Sequence, residues 1–168
     1  MRRENAGRVI AGVDGSFAGL RALRLAVAEA RRRGVALHAV RVWSCDSSWQ
    51  GGATGCAGEI DQQARAEAVA VFGAAMGALP EDVPVVITPV TGRPWRALVD
   101  YAYRDNDTLF VGTSQRRWWR RLFRPSTARY CAAHASCPVV VVPADSFARN
   151  AGGRRQARAL VRDLSMLS

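Results

Sequence analysis

The chain contains no lysine: its 24 basic residues are all arginines, set against 14 acidic ones in 168 residues, for a formal net charge of +10. That absence excludes a Walker A P-loop, a Schiff-base enzyme and a protein kinase, each of which needs an amine at a fixed place. No apolar run approaches the roughly 20 residues needed to span a bilayer. The opening Met1-Arg2-Arg3-Glu4-Asn5 leads into a strand without a secretory hydrophobic region, so a soluble, cytoplasmic protein is expected. The cysteines Cys45, Cys56, Cys131 and Cys137 have no CxxC spacing and are expected to be free thiols. With only His38 and His134 beside them, no zinc or other metal site is expected. No nucleophile-base-acid set is visible either. His38 lies on a strand and His134 near a helix end, neither in a motif with serine or cysteine, so both read as structural and no catalytic residue is assigned.

What is present is an alternation of short β-branched runs and helical stripes. Arg8 to Val13 is a first strand, closed by the turn cluster Asp14-Gly15-Ser16. Phe17, Leu20, Leu23, Val27 and Ala30 then recur at helical spacing as far as Gly34. Arg31-Arg32-Arg33 before that glycine suit a helix carboxyl terminus and read as capping, in preference to a nucleic-acid patch. Leu37 to Trp43 is a second strand. Ser44 to Gly58 is a long loop rich in small residues, with Trp49 as an apolar anchor, expected to act as a mobile flap. Glu59 to Leu79 is an amphipathic helix with Ile60, Ala64, Val71 and Met76 among its apolar positions. Val83 to Thr88 is a third strand. Pro84 and Pro89 assign it to a sheet edge, because proline cannot donate to a ladder. Pro94 suits the first turn of a third helix, whose buried face would be Trp95, Leu98, Val99 and Ala102.

The stretch from Thr108 to Pro143 organises the rest. Leu109 to Val111 is an apolar run stopped by Gly112, and Val139 to Val142 is a second one fenced by Pro138 and Pro143. Ser126 caps a helix between them that reaches about Ala135. Strands joined through helices are parallel, so the class is α/β: a doubly wound, five-stranded parallel sheet with helices on both faces. Ligands, and anions in particular, bind such sheets at the carboxyl ends of the strands, where helix amino termini converge.

Gly112-Thr113-Ser114-Gln115, nine residues, Pro125-Ser126 and then Cys137-Pro138-Val139-Val140-Val141-Val142 resemble the carboxyl-terminal half of a universal stress protein. The opening through Val13-Asp14-Gly15-Ser16, the strand ending Val40-Arg41-Val42 and the turn Val90-Thr91-Gly92-Arg93-Pro94 resemble other parts of that family, so the resemblance covers roughly Arg8 to Pro143. It implies the strand order 3-2-1-4-5. It also implies an adenine-nucleotide site for ATP, with Mg2+ only on bound nucleotide, formed by Gly12, Val13, Asp14, Val42, Gly112, Gln115, Arg116, Arg117, Ser126 and Thr127. Asp14 and Val42 would hold the adenosine, Gly112 and Ser126 the phosphates, and an arginine would neutralise charge. From the residues alone Asp14 reads as a turn or cap residue, and only the resemblance sets the nucleotide-binding reading level with that one. Slow ATP hydrolysis, where the family has it, would need no more than Ser126 and a bound metal.

The family's ATP-binding form reads Gly-x-x-Gly, nine residues, Gly-Ser/Thr; here Gln115 and Pro125 replace its second and third glycines. Forcing a Cβ into the left-handed region costs about 1–2 kcal/mol. A charge-assisted hydrogen bond from one of Arg116, Arg117, Arg120, Arg121 or Arg124 contributes about 1.5–3 kcal/mol. Weak, arginine-dependent ATP binding is the expectation. Two other readings stand beside it: a dimeric scaffold of the same fold acting through an unidentified protein partner, and a nucleic-acid surface built from these arginines with Trp118-Trp119. The resemblance and the uncharged valine edge both point to a homodimer through Val139, Val140, Val141 and Val142. The expected domain is 1–143. The tail 144–168 carries Ala157, Leu160, Val161, Leu164 and Leu167 on one stripe, predicting a helix docked on the protomer or its mate, or alternatively on an anionic membrane surface.

Overall fold

A computed structural model describes residues 7–43, 57–113 and 126–144, without the side chains of 57–61 and 64. Strand β1 (Val9–Gly12) is apolar throughout and buried on both faces, as a parallel strand covered by helices must be. It stands at the centre of an all-parallel sheet of order β3-β2-β1-β4-β5, with β2 at Leu37–Trp43, β3 at Val85–Thr91, β4 at Thr108–Thr113 and β5 at Val139–Pro143. This is the order that the sequence resemblance implied. Helices α1 (Phe17–Arg33) and α2 (Ala57–Met76) bring Leu23, Val27, Phe72 and Ala75 onto one face. Helices α3 (Pro94–Tyr101) and α4 (Thr127–His134) bring Leu98, Ala128 and Cys131 onto the other.

Several boundaries differ from the sequence reading. The third strand is Val85–Thr91 and runs through Pro89 instead of stopping before it. Leu37 N donates to Pro84 O and Gly92 N to Trp43 O, so even-numbered residues of β3 face β2 and Pro89 faces outward, where its missing N–H costs the ladder nothing. Likewise β4 continues past Gly112 to pair Gly112 with Val142 and Thr113 with Pro143. Helix α2 begins at Ala57, inside the expected loop, and ends at Met76 because Gly77 adopts a positive φ of 87°. Phe17 and Met76 are exposed, not core; among the described side chains of α2 the buried ones are Ala68, Phe72 and Ala75, and Ile60 and Ala64 lie outside them. Phe17 opens the first turn of α1, ahead of the stripe that packs on the strands.

The arginine run does end a helix. Gly34, left-handed at φ 64°, donates to Ala30 O and Arg31 O. Arg31 pairs with Asp82, Arg32 with Glu29, and Arg33 donates to Thr108 Oγ1 and Gly7 O. His38 Nδ1 lies 2.8 Å from the Tyr101 hydroxyl. Burial first, then the positive charge of Arg8, lowers its pKa. His134 contacts Tyr130 O and stacks on the Tyr130 ring. Cys131 and Cys137 are free and buried, and burial, followed by the proximity of Cys137, pushes the Cys131 thiol up to about 11.

At the amino-terminal end of the sheet, Asp107 is the one fully buried charged residue among those described. Arg8 donates to it from its backbone N and Nε at 3.0 Å and from Nη2 at 2.5 Å, and Arg104 N adds a fourth bond. The Arg8 guanidinium also lies over the rings of Tyr101 and Tyr103 at 5.2 and 5.0 Å. Burial alone would raise the Asp107 pKa, but the Arg8 hydrogen bonds and charge together outweigh it and hold the carboxyl below its ordinary value.

The edges of the sheet are unlike. Leu109 N donates to Pro138 O, so Val139 and Val141 turn their backbone groups outward from β5, and Val141 is 39% exposed. Arg21 Nη1 takes Pro143 O, the next outward carbonyl. Among the described residues, no helix is long and apolar enough to cross a membrane, and no group of three or more His, Cys, Asp or Glu is placed to hold a metal. Of the flap expected over 44–58, residues 44–56 lie outside the described residues, as do the arginine-tryptophan loop and residues 145–168 of the tail, while Ala57 and Gly58 belong to α2.

Candidate functional site

A cleft of about 170 Å³ opens at the carboxyl ends of β1, β2 and β4. Gly12, Val13, Asp14, Val42, Gly112, Ser126 and Thr127 all line it, so the described residues of the predicted site are brought together. Gln115, Arg116 and Arg117 lie outside the described residues, in the connection whose two ends, Thr113 and Ser126, stand at β4 and the start of α4. The sequence reading missed Val40, Arg41, Val111, Pro94 and Leu98 as lining residues. Pro94 and Leu98 carried a signal, since they are one helical turn apart on the face of α3 that meets the sheet.

The local chain path explains the cleft. Gly15 takes a positive φ of 69°, turning the chain from β1 into α1. Asp14 Oδ1 then accepts from Ser16 N at 3.0 Å and Ser16 Oγ at 2.8 Å, while Ser16 Oγ accepts from Gly19 N as the N-cap. The turn reading of Asp14 is therefore correct, and the carboxylate lines the cleft as well. Its Oδ2 takes no hydrogen bond from the described residues. A Cβ on Gly19 would lie 2.0 Å from Asp14 Oδ1, so this carboxylate position requires glycine there.

Between β1 and β2 the ladder parts. Val13 N donates to Val40 O, and in a parallel pair the next rung would run from Val42 N to Val13 O. Arg41 Nη1 takes that carbonyl instead, at 3.0 Å, and Arg41 Nη2 is held by Glu67 Oε2 at 2.9 Å. Residues two apart on a strand point their backbone groups the same way, so the N–H and C=O of Val42 face the side that β1 has left. Arg41 Nε and Trp43 Nε1 are buried without a partner among the described residues.

Ser126 occupies the N-cap of α4 in extended conformation, but its hydroxyl makes no cap bond. The sequence reading had it capping; by position it does, by hydrogen bond it does not, and the hydroxyl is left for another acceptor or donor. Gly112 lines the cleft, and a neighbouring helix accounts for its lack of a side chain. An ideal Cβ on it would lie 2.5 Å from Ala18 C and Gly19 N, so its glycine is demanded by the backbone of α1.

Taken together the cleft offers a paired backbone donor and acceptor at Val42, a carboxylate oxygen at Asp14, and the hydroxyl and first turn of a helix at Ser126 and Thr127. Sequence comparison matches residues 5–143 to the universal stress protein family. A solved universal stress protein in complex with cAMP is similar to the chain with a TM-score of 0.55 at 24% identity, covering 83% of this chain and 98% of that one. For universal stress protein UspA from Lactobacillus plantarum the values are 0.55 and 23%, over 82% and 97%. For the universal stress protein from Archaeoglobus fulgidus in complex with dAMP they are 0.50 and 19%, over 81% and 97%. At these identities the likeness is one of fold. Comparison with curated protein sequences gave no match.

Proposed function

Because the chain belongs to the universal stress protein family, we propose that it is a regulatory protein whose cleft binds an adenine nucleotide, ATP included, with Mg2+ entering only on the nucleotide. The parted ladder at Val42 carries this reading. Adenine presents an acceptor at N1 beside a donor at its amino group, and a backbone N–H and C=O from one residue offer the complementary pair. Asp14 Oδ2 lies at the same end for the ribose hydroxyls. Ser126 Oγ and the first turn of α4 suit a phosphate, whose charge the helix amino terminus favours. Solved proteins of the same fold hold cAMP and dAMP, which supports the adenine class.

Titration calorimetry with AMP and with MgATP tests the reading. Arg41→Met should free Val13 O to take the Val42 N–H and so close the parted rung, weakening AMP about tenfold, or about 1.4 kcal/mol, in a protein that still folds. AMP affinity indifferent to both Arg41→Met and Asp14→Ala would move the base elsewhere. For the phosphates, Gln115→Gly with Pro125→Gly should strengthen ATP binding, whereas Arg116→Ala with Arg117→Ala should weaken it and flatten its salt dependence. Heats unchanged by either pair would remove the arginine-dependent account of the loop.

The protein also pairs with itself in this reading, through the strand Val139 to Val142 of β5, where the backbone groups of Val139 and Val141 point outward, Val141 is exposed and no side chain of the strand carries a charge to deter pairing. Val141→Lys should give a monomer in sedimentation, and a dimer of unchanged mass would put the interface on another surface.

A further inference from the structure

We propose that a second recess, between the end of β3 and the outer face of α3, is an anion site that takes the phosphate of a small, hydroxyl-bearing phosphate monoester. This groove of about 580 Å³ is lined by Thr91, Gly92, Arg93, Arg96, Asp100 and Tyr101, with Val90 and Ala97 as its floor. It is separate from the nucleotide cleft, because Pro94 and Leu98 of the same helix line the cleft while Arg93, Arg96 and Asp100 line the groove.

The charges in the groove are what distinguish it. Arg8, Arg31, Arg32 and Arg41 each hold a carboxylate. Arg93 and Arg96 hold none among the described residues, although both line this groove, Arg93 from the extended N-cap position of α3 and Arg96 from its first turn. The Arg93 guanidinium lies over the Trp95 ring at 5.8 Å, a contact that orients the planar group through its face and leaves its N–H donors at the edge unspent. Two guanidinium groups lining one groove suit the several oxygens of a phosphate, which accept paired N–H donors. Asp100 stands one turn beyond Arg96, bonded to neither arginine, and Thr91, the last residue of β3, lines the same groove. The groove is thus cationic at one end and accepting at the other, which suits a ligand with a phosphate at one end and hydroxyls beyond it. Gly92, at a φ of 143° that side chains rarely adopt, makes the turn from β3 into α3.

The test is a nitrogen-proton NMR titration of the full chain with glycerol 3-phosphate, in the presence of saturating AMP, and a parallel titration with inorganic phosphate. Shifts should concentrate at the Trp95 indole N–H and the Thr91, Gly92 and Arg93 amides, with glycerol 3-phosphate binding more tightly than inorganic phosphate. Arg93→Gln with Arg96→Gln should weaken binding about tenfold. Arg32→Gln with Arg129→Gln removes the same charge elsewhere and should change it by less than about twofold, a difference that separates a site from general attraction to a basic chain. Shifts scattered over the arginine surface, equal losses in the two double variants, or displacement by AMP would each overturn the proposal.

Discussion

Asp107→Ala should cost the fold about 3–5 kcal/mol in denaturant unfolding, because it leaves the Arg8 guanidinium, 15% exposed, without the carboxylate that four donors now share. The pair joins the residue before β1 to the residue before β4, so both central strands lose a common anchor. A companion change separates loss of charge from loss of packing: Asp107→Leu with Arg8→Met should recover most of the deficit, since replacing both partners of a buried pair by apolar groups is often neutral. The pH dependence has a definite sign. A carboxyl whose folded pKa lies below its ordinary 3.8 contributes stability that is present above that value and is lost as pH falls through the lower, folded one. Acid unfolding of the parent should therefore steepen below about pH 4, and the Asp107→Ala protein should lack that component. A loss under about 1 kcal/mol, or an unchanged acid limb, would contradict the assignment.

Gly112→Ala should cost about 3 kcal/mol, because the new Cβ would meet backbone atoms of Ala18 and Gly19 at 2.5 Å, and backbone cannot step aside as a side chain can. For a chain of this length that is a fall of about 6–12 °C in Tm, read by calorimetry without any nucleotide. Gly12→Ala is the contrast, since its nearest neighbour is Leu98 Cδ1 at 3.0 Å, a side-chain tip that can rotate, and its cost should stay within about 1 kcal/mol. Equal effects of the two changes would show that the approach of α1 to β4 is not what keeps residue 112 a glycine.

The sheet and its order were legible because each strand is a short β-branched run between breakers and each helix carries a stripe. Residues Gly12, Asp14, Val42 and Ser126 were legible as a group because the motif fixes where strands end and helices begin. What escaped the sequence depends on direction. Pro89 reads as a stop, yet its ring faces away from the ladder and the strand runs through it. Phe17 fits the helical stripe but stands in the first turn, beyond the strands that bury the rest. Gly112 invites a phosphate explanation, whereas the close atoms belong to a helix remote in sequence. Arg41 gave only the weak signal of a charge inside an apolar strand, and nothing in the sequence says that it would occupy the carbonyl of Val13 in place of the next rung of the ladder.

The outward Pro89 bears on assembly size. Parallel sheets with two open edges can add copies without limit, edge to edge, and that is the geometry of filaments. If two protomers join through β5, the combined sheet ends on both sides in β3, and each of those strands presents a proline in place of a donor midway along its free edge. A third copy would find an interrupted row of partners at either boundary. Self-association of this protein should therefore stop at a closed pair, with the arginine-rich surface and the clefts repeated twice and polymerisation denied at both ends.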